Sequence, residues 1–285
     1  MIPEQVELAY RNACMAELEA LKPGNVHVFA DGHGMTIQDF IKSAEVTAPV
    51  ISQPGLSVGE RIFNSIEATN SAVGLNTNLG LVLLCAPLIH AFLNASKDCT
   101  YDHQAFRQRL TQTLSQLSVE DGQLAAGAIV LANPAGLGNS ETNDVNDLPD
   151  VSLLELMISA QDKDRIAWQY ANGFTDILEF GLDLYKKAMQ KWQNQAWSTT
   201  ALYLGFLARQ LDSHILRKYG EPMAIKIMRE AQKLEALYWA TENPKLVQKK
   251  LLKWDASLKA GNINPGTSAD LTVATLLVSN FEIIG

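Results

Sequence analysis

The chain holds three cysteines, Cys14, Cys85 and Cys99, in 285 residues, and none forms a CxxC pair. An odd, scattered set argues against a disulfide framework and fits reduced thiols. The opening Met1-Ile2-Pro3-Glu4-Gln5 lacks the basic and apolar blocks of a secretory or transit peptide, so the expected location is cytoplasmic. Positive charge is scarce, with 23 Lys and Arg against 31 Asp and Glu and a net charge of -8. Nucleic acids and anionic membranes are held by bulk positive potential, so neither is an expected partner. An anionic ligand would need a local cationic pocket. No apolar run reaches the about 20 residues of a membrane span. The most apolar, Leu81 to Leu93, contains Pro87 and His90 and reads as a buried helix. Alternating strand patterns are missing apart from short β-branched pieces near Val26–Phe29 and Thr272–Thr275, and no repeat of fixed period is visible.

What remains is helical. Hydrophobic residues at 47% and charged residues at 19% describe an ordinary globular chain long enough to bury a sizeable core. Apolar residues recur at three- and four-residue spacing, as in Ile37, Phe40, Ile41 and Ala44, then Ile62, Ile66 and Val73. Thr36-x-x-Asp39, Ser57-x-x-Glu60 and Ser152-x-x-Glu155 each have the spacing of a capping box, in which two side chains satisfy free amides of a first turn. The expected fold is all-α, a single domain over residues 1–285 with roughly ten helices. Residues 133–149, dense in Pro, Gly and Asn, are the best linker or lid candidate.

Four polar motifs could carry chemistry. The first runs from Glu17 through Glu19, Lys22-Pro-Gly24-Asn25 and His27 to Asp31 and His33. Pro23 disfavours helix for Lys22 and Gly24 permits positive φ, so the chain should turn and present amides and charged groups together. A plain helix C-cap with a solvated loop accounts for the same pattern. The second is Gly74-Leu-Asn76-Thr77-Asn78-Leu-Gly80, able to place an anion at the following helix N-terminus or merely to cap it. In the third, Asp212 precedes His214, Arg217 and Lys218, which share one helical face and suit a phosphate clamp or an ordinary solvated surface. The fourth is Asn262-Ile-Asn264-Pro-Gly-Thr267-Ser268-Ala-Asp270, where Thr267 or Ser268 would cap the last helix and Asp270 would lie in its first turn. There Asp270 could answer the dipole, bind Mg²⁺ or act as a base.

Taken in order, Lys22-Pro-Gly-Asn-Val26, the Asn-Thr-Asn turn, Asp212-Ser-His214 and Asn264-Pro-Gly-Thr-Ser-Ala-Asp270 resemble the triphosphoribosyl-dephospho-CoA synthase family, over nearly the whole chain. No single motif is specific; four in register carry the resemblance, and the last is the most distinctive. It implies an all-α enzyme that uses ATP as a ribosyl donor. The 2′-hydroxyl of 3′-dephospho-CoA attacks the anomeric carbon, adenine leaves, and the triphosphate stays on the product. Such chemistry asks for Mg²⁺ and cations around the triphosphate, with Lys22, Arg217 and Lys218 as candidates. Gly24, Asn25, Asn76, Thr77, Asn78, His214, Thr267 and Ser268 are candidate nucleotide contacts. Asp31, Asp212 and Asp270 are candidate metal carboxylates. Oxocarbenium stabilisation, hydroxyl activation and protonation of adenine fall to Glu17, Glu19, His27, His33 and Asp270.

The sequence departs from the branch that serves citrate and malonate decarboxylation, which tends to carry a basic residue where Leu79 stands and Gly-Asp-Thr-Asn where Leu211-Asp-Ser-His214 stands. Transfer to a different acceptor is therefore an alternative. A Mg²⁺-dependent nucleotide or ADP-ribose hydrolase is another, weakened by the lack of a His-Asp dipeptide or a DDxxD array. A non-enzymatic helical interaction protein would turn all four motifs into caps. A homodimer is the default assembly.

Overall fold

Capping boxes start several of the helices. In the computed structural model, which describes residues 3–94, 101–134 and 149–284, Thr36, Ser57 and Ser152 each accept from the backbone amide three residues on, and Asp39, Glu60 and Glu155 reach back. A fourth box, Ser118 with Asp121, begins another helix. Between them these caps open α2 (Ile37–Ile51), α3 (Val58–Val73), α6 (Val119–Ala132) and α7 (Leu153–Ala160). The remaining helices are α1 (Pro3–Glu19), α4 (Leu79–Leu93), α5 (His103–Ser115), α8 (Arg165–Ala171), α9 (Leu182–Trp192), α10 (Gln195–Arg209), α11 (Ser213–Tyr219), α12 (Glu221–Trp239), α13 (Lys245–Ala260) and α14 (Gly266–Ile284). A π-helical turn, Asp176–Gly181, runs straight into α9. The all-α expectation holds, with fourteen helices among the described residues rather than about ten. The excess comes from α7, α8 and α11, of 8, 7 and 7 residues, too short to show a hydrophobic period. The loop expected at 133–149 lies almost wholly outside the described residues.

Two helices form the centre. α4 is buried from Leu81 to Ile89 and α14 from Leu271 to Val278, and Phe92 stacks on Phe281 with ring centroids 3.9 Å apart. Each fully buried Leu or Phe here contributes roughly 2 kcal/mol by removal from water. The β-branched piece Thr272–Thr275 is helix after all, buried within α14, where the hydroxyls of Thr272 and Thr275 are satisfied by donating to the carbonyls of Ser268 and Leu271, each at 2.8 Å. Val26–Phe29 forms a tight turn closed by a bridge between His27 and Ala30. A second hydrophobic cluster joins α10 to α13 through Tyr203, Leu204, Ile227, Tyr238, Leu251 and Leu258. Helices α10 and α14 supply side chains to both clusters, Phe206 and Leu271 to one, Leu204 and Ala269 to the other. Consequently the start of α14 sits at the seam between them.

Candidate active site

At that seam lies a cavity of about 910 Å³, walled by the end of α1 and by α4, α6, α7, α8, α11 and α14. One part is apolar, with Leu83, Ala126, Ile129, Leu156 and Met157. The other is polar, and the two Pro-Gly junctions meet there. Gly24 takes φ +86°, and a methyl on it would stand 2.8 Å from Pro265 Cδ, so the junctions touch backbone to ring. Asn25 Nδ2 donates to Asn264 Oδ1 at 2.9 Å. The His33 ring spans both, with Nε2 2.7 Å from the Gly24 carbonyl and Nδ1 3.0 Å from Asn262 Oδ1. Below them Asp255 Oδ1 accepts the Gly24 amide at 2.8 Å and lies 3.3 Å from His27 Nε2, and the Lys259 ammonium lies 3.0 Å from the same oxygen. Burial alone would raise the Asp255 carboxyl, but its bonds from His27, Gly24 and Lys259 hold it below the usual carboxylate range.

Charge at the cavity is divided between a floor and a rim. Lys22 is fully buried; it is bound to Glu17 Oε1 and donates to Asn25 Oδ1 at 3.2 Å and the Val26 carbonyl at 2.8 Å. Burial pushes the Glu17 carboxyl up and Lys22 draws it back. Asp270 lines the cavity and accepts no hydrogen bond from any described residue. Burial, and then the carboxylates of Asp212, Glu17 and Asp164, push it far above the ordinary range. It lies over the first turn of α4, where a methyl at Gly80 would overlap Asp270 Oδ2. The rim is cationic: Lys163, Arg217 and Lys218 line the wall beside Asp162 and Asp164. Arg217 Nη1 donates to Asp164 Oδ2 at 3.1 Å, which leans α11 on the turn before α8. His214 is held near pKa 4 by burial and by the neighbouring Arg217, Lys218 and His33, so it is neutral at pH 7.

The structure brings Glu17, Asn25, His33, the Asn76-Thr77-Asn78 turn, His214, Arg217, Lys218, Thr267 and Asp270 into the lining of this one cavity. Others go elsewhere. Glu19 is exposed on α1, and Asp31 accepts the Ile37 amide at 2.8 Å at the start of α2. Asp212 has Oδ1 on the amides of His214 and Ile215 and Oδ2 on the amide and hydroxyl of Ser268, at 2.8 to 3.2 Å, so its lone pairs are engaged. Asp31, Asp212 and Asp270 therefore do not form a metal site, and no cluster of three metal-ligating side chains occurs among the described residues. Lys22 faces inward because its ammonium finds three acceptors there, which removes it from phosphate contact. His27 and Gly24 stand behind the wall rather than in it, as does Ser268, whose amide Asp212 caps. Thr267 and Ser268 were expected to cap α14, but the helix begins at Gly266 and the capping carboxylate comes from Asp212. Sequence reasoning passed over Lys163 and Asp164, although Asp164 carries a plain N-cap signal for α8.

A sequence profile of the CitG family, ATP:dephospho-CoA triphosphoribosyl transferase, matches residues 3–284. The chain belongs to this family. The family is one of transferases, whose reaction moves a triphosphoribosyl group from ATP to dephospho-CoA. In fold, the chain is similar to a crystal structure from Archaeoglobus fulgidus that carries the provisional name triphosphoribosyl-dephospho-CoA synthase. The TM-score is 0.65 at 22% identity, covering 84% of this chain and 97% of that one. No curated relative matches in sequence. Among the described residues no helix is long and apolar enough to cross a membrane.

Proposed function

We propose that this cavity transfers the triphosphoribosyl group of ATP to the 2′-hydroxyl of 3′-dephospho-CoA and releases adenine. The observation that carries the reading is the joining, in one cavity, of a cationic rim to a carboxyl group without a partner. Lys163, Arg217 and Lys218 are suited to a triphosphate, while Asp270 is set apart for the reacting centre. At about 910 Å³ the cavity lies at the upper end of small-molecule sites, as two nucleotide-sized substrates require. The Asn76-Thr77-Asn78 turn and Thr267 add neutral polar groups to the same lining.

Mg²⁺ takes one or two protein carboxylates and fills the rest of its shell with phosphate oxygens and water. The rim fits that requirement: Asp162 lines the wall beside Lys163 and would be the protein ligand of an ion carried in by ATP. When bound, the ion neutralises triphosphate charge. The residues themselves hold the phosphates at the rim and present Asp270 and Glu17 below.

Incubation with Mg²⁺-ATP, with and without 3′-dephospho-CoA, followed by chromatography, tests the assignment. Free adenine is expected only when the acceptor is present. Adenine without the acceptor would make the protein a hydrolase, and ADP or AMP would make it a phosphoryl-transfer enzyme. A different acceptor is favoured by one observation, the apolar Leu79 at the cavity wall where a basic residue is expected in the decarboxylase branch. That reading predicts intact ATP with 3′-dephospho-CoA and adenine once the right alcohol or amine is supplied. The buried, unpaired thiols of Cys14 and Cys85 suit a cytoplasmic enzyme. Light scattering would test the homodimer, for which only the frequency of symmetric dimers speaks.

A further inference from the structure

The floor of the cavity holds two carboxyl groups in unlike settings. The Lys22 ammonium has three donors and three acceptors, Glu17 Oε1, Asn25 Oδ1 and the Val26 carbonyl, so no donor is left for a phosphate. It is a fixed positive charge beneath Glu17. Asn25 in turn donates to Asn264, so the same network reaches the junction just before α14. Asp270 lies just past the first turn of α14, which begins at Gly266, rather than within it as the sequence suggested; it makes neither an ion pair nor a hydrogen bond with any described residue, and Gly80 gives its carboxylate the room it occupies. Both groups line the cavity.

We propose that Lys22 is a positioning residue that sets the two carboxyl groups to opposite tasks. Glu17, its charge held by Lys22, takes the proton of the acceptor hydroxyl, and Asp270, with no cation bonded to it, delivers a proton to the departing adenine. The inference rests on the transferase reading above. In the step, the acceptor oxygen bonds to the anomeric carbon as the bond from that carbon to the adenine ring nitrogen breaks. The electron pair leaves with adenine, which takes the Asp270 proton, while the hydroxyl proton passes to Glu17. The site gains one proton and loses one, so neutral adenine departs and the carboxyl groups reset by exchange with solvent.

The surroundings agree with this division. Glu17 faces Lys22 from the junction, Asp270 from α14, Cys14 on its own helix and Tyr203 from α10, with Lys259 of α13 acting on Lys22. Asp270 faces the carboxylates of Asp212, Glu17 and Asp164, the buried Tyr10 and Cys85, and Lys22 as an opposing charge. Burial raises both carboxyl groups, but only Glu17 has a bonded cation. Separation of two carboxyl groups by environment is how acid and base are assigned within one site.

The test is the rate of adenine release from Mg²⁺-ATP and 3′-dephospho-CoA between about pH 5 and pH 10, with a melting temperature for each variant. Wild type should give a bell. Glu17→Gln should lose the acidic limb and about 100-fold or more of kcat, and Asp270→Asn should lose the alkaline limb. Lys22→Met should move the acidic limb to higher pH, because Glu17 loses its counter-charge, with KM for ATP changed less than about threefold. A Lys22→Met enzyme with its limb in place and KM for ATP raised about tenfold would make Lys22 a phosphate ligand and overturn the proposal. If that variant does not fold, Glu17→Gln, which keeps an amide acceptor for Lys22, decides: an unchanged limb or full kcat overturns it. A wild type that releases no adenine sinks the transferase reading instead.

Discussion

Gly24 and Pro265 occupy a single close contact, in which an added methyl would stand 2.8 Å from the proline ring, 3.0 Å from the Ile263 carbonyl and 3.0 Å from Leu258 Cδ1. The backbone at Gly24 is also left-handed, at φ +86°. Gly24→Ala therefore meets both a conformational penalty and a clash, together about 2–4 kcal/mol. The urea midpoint should fall accordingly, and an unchanged midpoint would mean that the junctions are not pressed together in solution.

Gly80→Ala acts on chemistry rather than on folding. Its methyl would overlap Asp270 Oδ2 and come 2.7 Å from Ile166 Cδ1, so the carboxylate has to swing away from the α4 turn. Misplacement of a reacting group by about 1 Å costs up to 100-fold, and kcat should fall about tenfold or more with the circular dichroism spectrum preserved. Full activity would show that Asp270 does not act from the position seen here.

The rim cations should govern nucleotide affinity. Replacement of Lys163, Arg217 or Lys218 by Gln is expected to raise KM for ATP about 3- to 30-fold, with a smaller effect on kcat and a weaker dependence on salt. Arg217→Gln also loses the pair with Asp164, worth at most about 1 kcal/mol at a solvent-facing site. Three variants with unaltered KM would move the triphosphate elsewhere.

His214 gives stability a pH dependence of known sign. Its folded pKa is about 4 against the ordinary 6.5, so between those values the unfolded chain binds a proton that the folded chain refuses. Stability should decline as pH falls through that window and level off below it. His214→Gln should flatten the slope measured by denaturant titration from pH 7 to pH 4. An equal slope would mean that the ring is protonated in the native state.

Local hydrogen bonding made much of the fold readable. Thr36 with Asp39, Ser57 with Glu60 and Ser152 with Glu155 are fixed by a spacing of three, and the structure forms all three. The burial of α4 was equally plain, since an apolar run with so few breaks has nowhere else to go. The interior of the site was not readable in this way. Whether Lys22 points into a protein or out of it depends on acceptors that Asn25 and Glu17 supply only after the turn is made. Asp255 and Lys259 look like an ordinary surface pair four residues apart, yet Asp255 is 3% exposed and supports Gly24 from beneath. Asp212 deceived for the same reason: a carboxylate that caps two helices has the composition of a metal ligand.

The docking of α14 against the end of α1 also has a consequence in time. A nascent chain that has not yet emerged beyond Gly266 lacks Thr267, Asp270 and the helix that feeds both hydrophobic clusters. Its first junction has no second junction to close on, and contacts between distant parts of a chain are the last to repay their loop entropy. Nucleotide binding should therefore begin only once α14 has emerged and docked, and a chain cut before Gly266 should not bind ATP.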